Sequence, residues 1–185
     1  MRVIAGELKG RRLRSPEGSD IRPTTDKVKE AVFSMLIPYM DGSFTALDLF
    51  AGSGGLGIEA ISRGAATVFF SDSSRDSIRL VKENLEHCGV LDRAVLLQGD
   101  FKSNIKRLTQ KIDVAFLDPP YADGFILPAL EALDKKDAVQ TGGAVVCEHS
   151  AREVLPEEIY GFKAVKQRRY GSIAVTIYER EGDDA

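Results

Sequence analysis

Apolar positions recur along this chain with two distinct periods. From Thr25, the residues Val28, Ala31, Val32, Met35 and Leu36 fall at the three-and-four spacing of an amphipathic helix, which Pro38 ends; Asp26 and the flanking threonines suit its N-terminus. Beyond residue 44 the pattern becomes short apolar run, turn, helix, repeated. TALDLF, TVFFS, AVLLQ, DVAFL and AVVCE are separated by helical stretches such as SIRLVKENLEHCG, where Ile78, Val81 and Leu85 share one face. Such alternation predicts an α/β fold, a mostly parallel sheet covered by helices on both faces. After Pro156, GFKAVKQRR and SIAVTIYER oppose each other across Tyr170 and Gly171, which predicts a terminal hairpin. Residues 2–14 alternate loosely around Gly6 and Gly10 and predict a second, N-terminal β-hairpin, followed by a loop, SPEGSDIRP. No repeat or linker divides the core. The expectation is one domain over residues 1–185, with 1–40 a hairpin and helix extension, 41–180 the core and 181–185 a tail.

Composition adds little to this picture and excludes several classes. The 43% hydrophobic and 29% charged content is that of an ordinary water-soluble domain. The first residues, MRVIAGELKGRRL, lack the apolar core of a signal peptide, and the longest uncharged apolar stretch, residues 31–40, is too short for a bilayer. A cytoplasmic protein with no membrane partner is expected, and a monomer. Two cysteines make no disulfide framework. His87 with Cys88, and Cys147 with His149, have the wrong spacing for a zinc site, so no metal is expected. Charge is more informative. Residues 1–14 and 163–169 each carry a net +4, leaving −11 for the rest of a chain whose total is −3. If the two basic stretches share a face, an otherwise acidic protein acquires a grip for a phosphate backbone.

Chemistry concentrates at the ends of the apolar runs. In LDLFAGSGGLGIEA, Gly52, Gly54 and Gly57 satisfy G-x-G-x-x-G between a strand and a helix, and Asp72 ends the next strand, placed to accept from two ribose hydroxyls. A dinucleotide fits poorly, because Asp48 lies just before the glycines where a pyrophosphate would approach. A cationic adenosine ligand fits better. S-adenosylmethionine carries a sulfonium, an ammonium, a ribose and an adenine and no phosphate: Asp48 suits its amino-acid end, Asp72 its ribose, and Asp100 the adenine amine with Phe101 beside the ring. A helix cap is the alternative for each acid. FLDPPY is the fourth signal. Asp118 emerges as the apolar run ends, and Pro119 and Pro120 have no N–H to give, so the corner is rigid and rich in acceptors. It suits an –NH2 group, with Tyr121 as a stacking face.

D-x-F-x-G-x-G followed by D-P-P-Y resembles class I methyltransferases that act on exocyclic amines. With RVIAGELKGRRL, RPTTDKVKEAVFSML and the closing YGSIAVTIYER, the chain from Arg2 to about Arg180 resembles the bacterial small-subunit ribosomal RNA guanine-N2 methyltransferase family, RsmD. The resemblance implies a Rossmann-like, seven-stranded sheet with its last strand antiparallel, S-adenosylmethionine as donor, and a guanine in 16S ribosomal RNA or the small-subunit particle as acceptor. It implies Asp118, Pro119, Pro120 and Tyr121 as the catalytic motif. Phe50, Gly52, Gly54 and Asp72 then belong to the cofactor site, and Arg22, Pro23 and Thr24 to the segment closing over it. Lys27 and Lys29 stand where the family commonly has arginine, and Asp72 where it has glutamate.

The mechanism expected is positional. Asp118 and the Pro119 carbonyl each accept one N–H, so that the nitrogen lone pair points at the methyl group while Tyr121 stacks the base. Arg2, Lys9, Arg11, Arg12, Arg22, Arg168 and Arg169 would hold the flanking RNA around a base turned out of its stack. Adenine N6 and a glutamine amide remain alternative acceptors, since each presents an –NH2. A non-enzymatic RNA-binding module would need the basic stretches but not the acids.

Overall fold

The central strand forms where the first apolar run of the core is buried on both sides: β1, Phe44–Asp48, has Phe44, Ala46 and Leu47 shut from solvent. The computed structural model describes residues 1–17, 24–120 and 124–183, with the side chains of Thr24 and Thr25 outside that description. The remaining strands are β2 (Ala65–Asp72), β3 (Ala94–Gln98), β4 (Ile112–Leu117), β5 (Val139–Ser150), β6 (Glu158–Ile159), β7 (Phe162–Tyr170) and β8 (Ile173–Arg180). They form one sheet in the order β3-β2-β1-β4-β5-β8-β7-β6. β1 to β5 run parallel, and β8 enters antiparallel between β5 and β7. The sheet therefore has eight strands rather than seven. The addition is the two-residue β6, which pairs only Glu158 with Lys163 and Ile159 with Phe162, too short to leave a period in the sequence.

Among the described residues five α-helices cover both faces: α1 (Thr24–Leu36), α2 (Gly55–Ser62), α3 (Arg75–Cys88), α4 (Phe101–Lys106) and α5 (Ile126–Lys136). On one face Ala46, Val114, Phe116, Val146, Val175 and Ile177 pack with Val32, Phe33 and Leu36 of α1 and with α2 and α3. On the other, Leu47, Ala115, Leu117, Val145 and Tyr178 pack with Ile105 of α4 and with Ala129, Leu130 and Leu133 of α5. Strands with both faces covered read as unbroken apolar runs, as VAFL does. The chain builds outward from β1 through β2 to β3, then returns to place β4 on the other side of β1. That reversal opens a crevice at the C-terminal ends of β1 and β4, where open α/β sheets bind ligands.

The N-terminal hairpin is reduced to one antiparallel bridge, Arg2 with Arg12, and a short run of backbone bonds. What fixes this segment is a buried acid. Glu59 of α2, fully shut from solvent, accepts from the Ile4 and Ala5 amides at 2.9 and 3.1 Å, and from Arg63 Nε at 3.0 Å. The Lys29 ammonium lies 3.5 Å from Glu59 and donates to the Arg2 carbonyl at 2.7 Å. Lys29 is thus a structural cation inside the protein, not a phosphate ligand; burial lowers its pKa and Glu59 partly restores it. Val3, Leu8 and Leu13 complete the docking by joining the core.

Candidate active site at the strand ends

Each of the first five strands carries an acid within two residues of its C-terminal end: Asp48, Asp72, Asp100, Asp118 and Glu148. The loop after β1 is pinned to both neighbours, Leu49 N–H donating to Phe116 O at 3.1 Å and Ala51 N–H to Ser71 O at 2.9 Å. Gly54 then turns into α2 with φ 84°, a conformation glycine adopts at no steric cost. Gly57 serves packing: a Cβ there would lie 2.2 Å from a Phe70 ring carbon, so the helix could not approach the strand.

Asp48 is 1% exposed and accepts from the Gly57 amide at 3.0 Å. Burial raises its pKa to about 7; the Gly57 bond opposes that rise and the Asp72 charge adds to it. Asp72, half-buried, accepts from the Gly52 amide at 3.0 Å and the Ser74 amide at 2.9 Å, so it shapes the glycine loop. Asp100 caps α4, accepting from Ser103 N–H at 3.1 Å and Lys102 N–H at 3.4 Å, and these bonds lower its pKa. The Asp100 cap leaves lone pairs on an exposed carboxylate, which is compatible with a further donor.

Asp118 lies just past β4 with its pKa well above the usual carboxylate range, first through burial, then through the charges of Glu148 and Asp48. Among the described residues, no donor hydrogen-bonds to its carboxylate. Its neighbour follows from register. Leu117 pairs with Cys147, so Asp118 and Glu148 stand side by side at the ends of β4 and β5, on the face that carries Phe116 and Val146. Asp48, in register with Phe116 and Phe70, and Asp72, two residues past Phe70, share that face. Glu148 lines a small cleft with Pro119, Pro120 and Phe125. Glu148 is absent from the residues that the pattern singled out, although AVVCE ends in an acid and the other four runs have one at or just beside their ends.

Three rings meet beside this cleft. Phe50, Phe101 and Phe125 have centroids 5.5, 5.6 and 5.7 Å apart, and Phe50 and Phe101 pack on the α4–α5 core. Phe125 is the second residue that pattern reading missed, because it sits in a loop with no period to betray it. Tyr121, Arg22 and Pro23 lie outside the described residues, as does the Thr24 side chain. Pro119 is buried and Pro120 exposed.

The basic residues separate into different roles. Lys9, Arg11 and Arg12 are exposed, while Arg2 pairs with Asp26 at 3.2 Å and Arg14 with Glu83 at 3.4 Å. Arg168 and Arg169 do not act together: Arg168 pairs with Val175, on the face of Asp118 and Glu148, and Arg169 with Ala174, on the opposite face. Cys88 and Cys147 are buried free thiols, and no cluster of metal ligands occurs among the described residues.

Comparison with known proteins gives a consistent result. The family model described as conserved hypothetical protein 95 matches residues 1–179. YlbH of Bacillus subtilis is 39% identical over 185 residues, covering 98% of this chain and 100% of YlbH. The ribosomal RNA small subunit methyltransferase D of Haemophilus influenzae is 32% identical over 97% of this chain and 93% of its own. The solved structure of yhhF from Escherichia coli, 27% identical, has a TM-score of 0.86 with 98% of each chain covered.

Proposed function

This chain belongs to the conserved hypothetical protein 95 family, that of ribosomal RNA small subunit methyltransferase D, and from that premise we propose that it methylates the exocyclic N2 amine of a guanine in small-subunit (16S) ribosomal RNA. The observation that carries the reading is Asp118: a half-buried acid lacking a hydrogen-bond donor among the described residues, followed by Pro119 and Pro120, one strand from the glycine loop. An acceptor left in this condition favours a ligand that brings N–H groups.

The donor set fits S-adenosylmethionine. Asp48 would offer negative charge beneath its cationic end, a positive neighbour being favourable for a buried carboxyl, and Asp72 has the lone pairs for its ribose hydroxyls. Asp100 and Phe101 stand where an adenine would meet an acceptor and an aromatic wall, which Phe50 and Phe125 extend. When bound, the cofactor supplies an electrophilic methyl group on sulfur. Asp118 and the Pro119 carbonyl hold the two amine hydrogens, so that the nitrogen lone pair leaves conjugation with the ring and points along the reaction axis. The nitrogen gains a methyl and sheds a proton, and the raised basicity of Asp118 makes it the acceptor. Tyr121 would stack the base. Arg2, Lys9, Arg11, Arg12, Arg22 and Arg168 would hold flanking phosphates. We read the protein as a cytoplasmic monomer acting on ribosomal RNA or the subunit particle; no described helix is long and apolar enough to cross a membrane.

The test is transfer of tritiated methyl from S-adenosylmethionine to small subunits taken from a strain lacking this gene, followed by digestion to nucleosides. Label in N2-methylguanosine is expected. Label in an adenine, a ring carbon, a ribose or a protein would overturn the assignment.

A further inference from the structure

We propose that Glu148 is the residue that reads the target base as guanine, by accepting its N1–H beside the amine held at Asp118; the proposal rests on the guanine-N2 reading above and names what enforces it. Guanine presents N1–H and the N2 amine side by side on one edge, an array of donors with no acceptor between them. Adenine presents a lone pair at N1. A site that is to take guanine and refuse adenine therefore needs a second acceptor next to the one that holds the amine.

The sheet supplies that acceptor. Leu117 and Cys147 are in register, so Asp118, just past β4, and Glu148, still within β5, stand at the same level and on the same face. Adjacent strands lie about 4.8 Å apart, a distance that two carboxylates can close onto neighbouring N–H groups of one ring. Glu148 opens on the cleft that Pro119 and Pro120 also line, so it faces the amine-binding corner and not the core. Across the sheet the row continues through Val175 to Arg168. The pair is also electrostatically linked, the Glu148 charge raising the pKa of Asp118, and a donor edge entering between them relieves that repulsion.

The experiment uses small-subunit RNA, assembled into particles, in which the methylated guanine has been located by nucleoside digestion and replaced by ligation with 2-aminopurine. This base keeps the 2-amine but has a lone pair at N1. Wild-type protein should methylate the guanine particle with a kcat/KM about 10- to 100-fold above the 2-aminopurine particle. Glu148→Gln, whose amide offers either an acceptor or a donor, should lose activity on guanine, gain on 2-aminopurine, and narrow the ratio to about threefold. The C6 difference between the two bases is not touched by this change, so the shift in ratio reports N1 alone. S-adenosylmethionine binding by calorimetry establishes that the variant is folded; should it not fold, Glu148→Ala is put through the same comparison of the two bases, and its ratio should likewise narrow. Equal use of both bases by wild type overturns the proposal, as does a Glu148→Gln variant that loses activity on both by the same factor. No labelled guanine amine in the unmodified particle would overturn the functional reading itself, an outcome seen before any variant or base analogue is used.

Discussion

Two carboxylates on the same side of the sheet, Glu59 buried and Asp118 half-buried, have opposite surroundings. Glu59 accepts from two amides and an arginine and lies beside a lysine. Asp118 meets like charges from Glu148 and Asp48, and among the described residues nothing donates to it. Water would satisfy either acid, so each burial costs free energy that something must offset. For Glu59 the offset is internal and complete, and the result is structure: the first residues of the chain are tied to α2. For Asp118 the described residues supply no such offset, and a ligand can. An acid answered by its own chain holds the fold; an acid left waiting marks where a ligand enters.

Substitutions can break this contrast, beginning with the largest effect. Asp118→Ala should lower methyl transfer by at least about a thousandfold, because the amine loses its orienting acceptor, while urea melts show stability unchanged or slightly higher. Asp118→Asn should retain partial activity through its amide oxygen. Glu59→Ala should do the reverse. It strands the buried Lys29 and two amides and should cost about 3–5 kcal/mol in the same melts; a loss below about 1 kcal/mol would mean the two acids are not different in kind. Asp72→Ala should weaken S-adenosylmethionine binding by about 1.5–3 kcal/mol in calorimetry. Unchanged affinity would reduce Asp72 to a loop-shaping acid.

Asp48 sharpens the contrast through pH. Its pKa is raised in the fold from the ordinary 3.8 to about 7, so the neutral acid is the form that the fold prefers. The stability this contributes is complete below pH 3.8 and is lost as pH rises through about 7. Asp48→Asn should flatten the decline in Tm across that window. Cofactor binding, which favours the charged acid, should tighten over the same range and release a proton, seen as a buffer-dependent binding enthalpy. The smallest effect separates the paired arginines: Arg168→Ala should lower the salt dependence of RNA affinity by about one unit of slope, and Arg169→Ala should leave it unchanged.

The layout of the core was legible because its signals are periodic. Buried parallel strands give unbroken apolar runs, and α3 shows its face through Val81 and Leu85. The glycine loop was legible because Gly54 and Gly57 answer local steric demands. What escaped depends on register. That Glu148 adjoins Asp118, or that Arg168 and Arg169 part to opposite faces, follows from how strands distant in sequence align, and a single run carries no trace of it. The burial of Lys29 escaped for a related reason. An RNA-facing lysine and a buried one paired with Glu59 look identical until the residue 30 positions away is folded beside it.

The outer margin of β7 has a consequence for solubility. β6 covers it at Phe162 and Lys163, and Ala164 N–H donates to Glu157 O at 2.8 Å, so among the described residues the stretch from Val165 to Tyr170 has no strand on its outer side, the usual template for strand-to-strand association between copies. A register shift between Ala164 and Lys166 interrupts it, and Lys166, Arg168 and Arg169 place positive charge along it. The cations that suit a phosphate backbone therefore also repel a second copy of the same edge. Removing all three would threaten colloidal stability as well as RNA affinity, and the exposed Val165 just before them would become the first point of self-association.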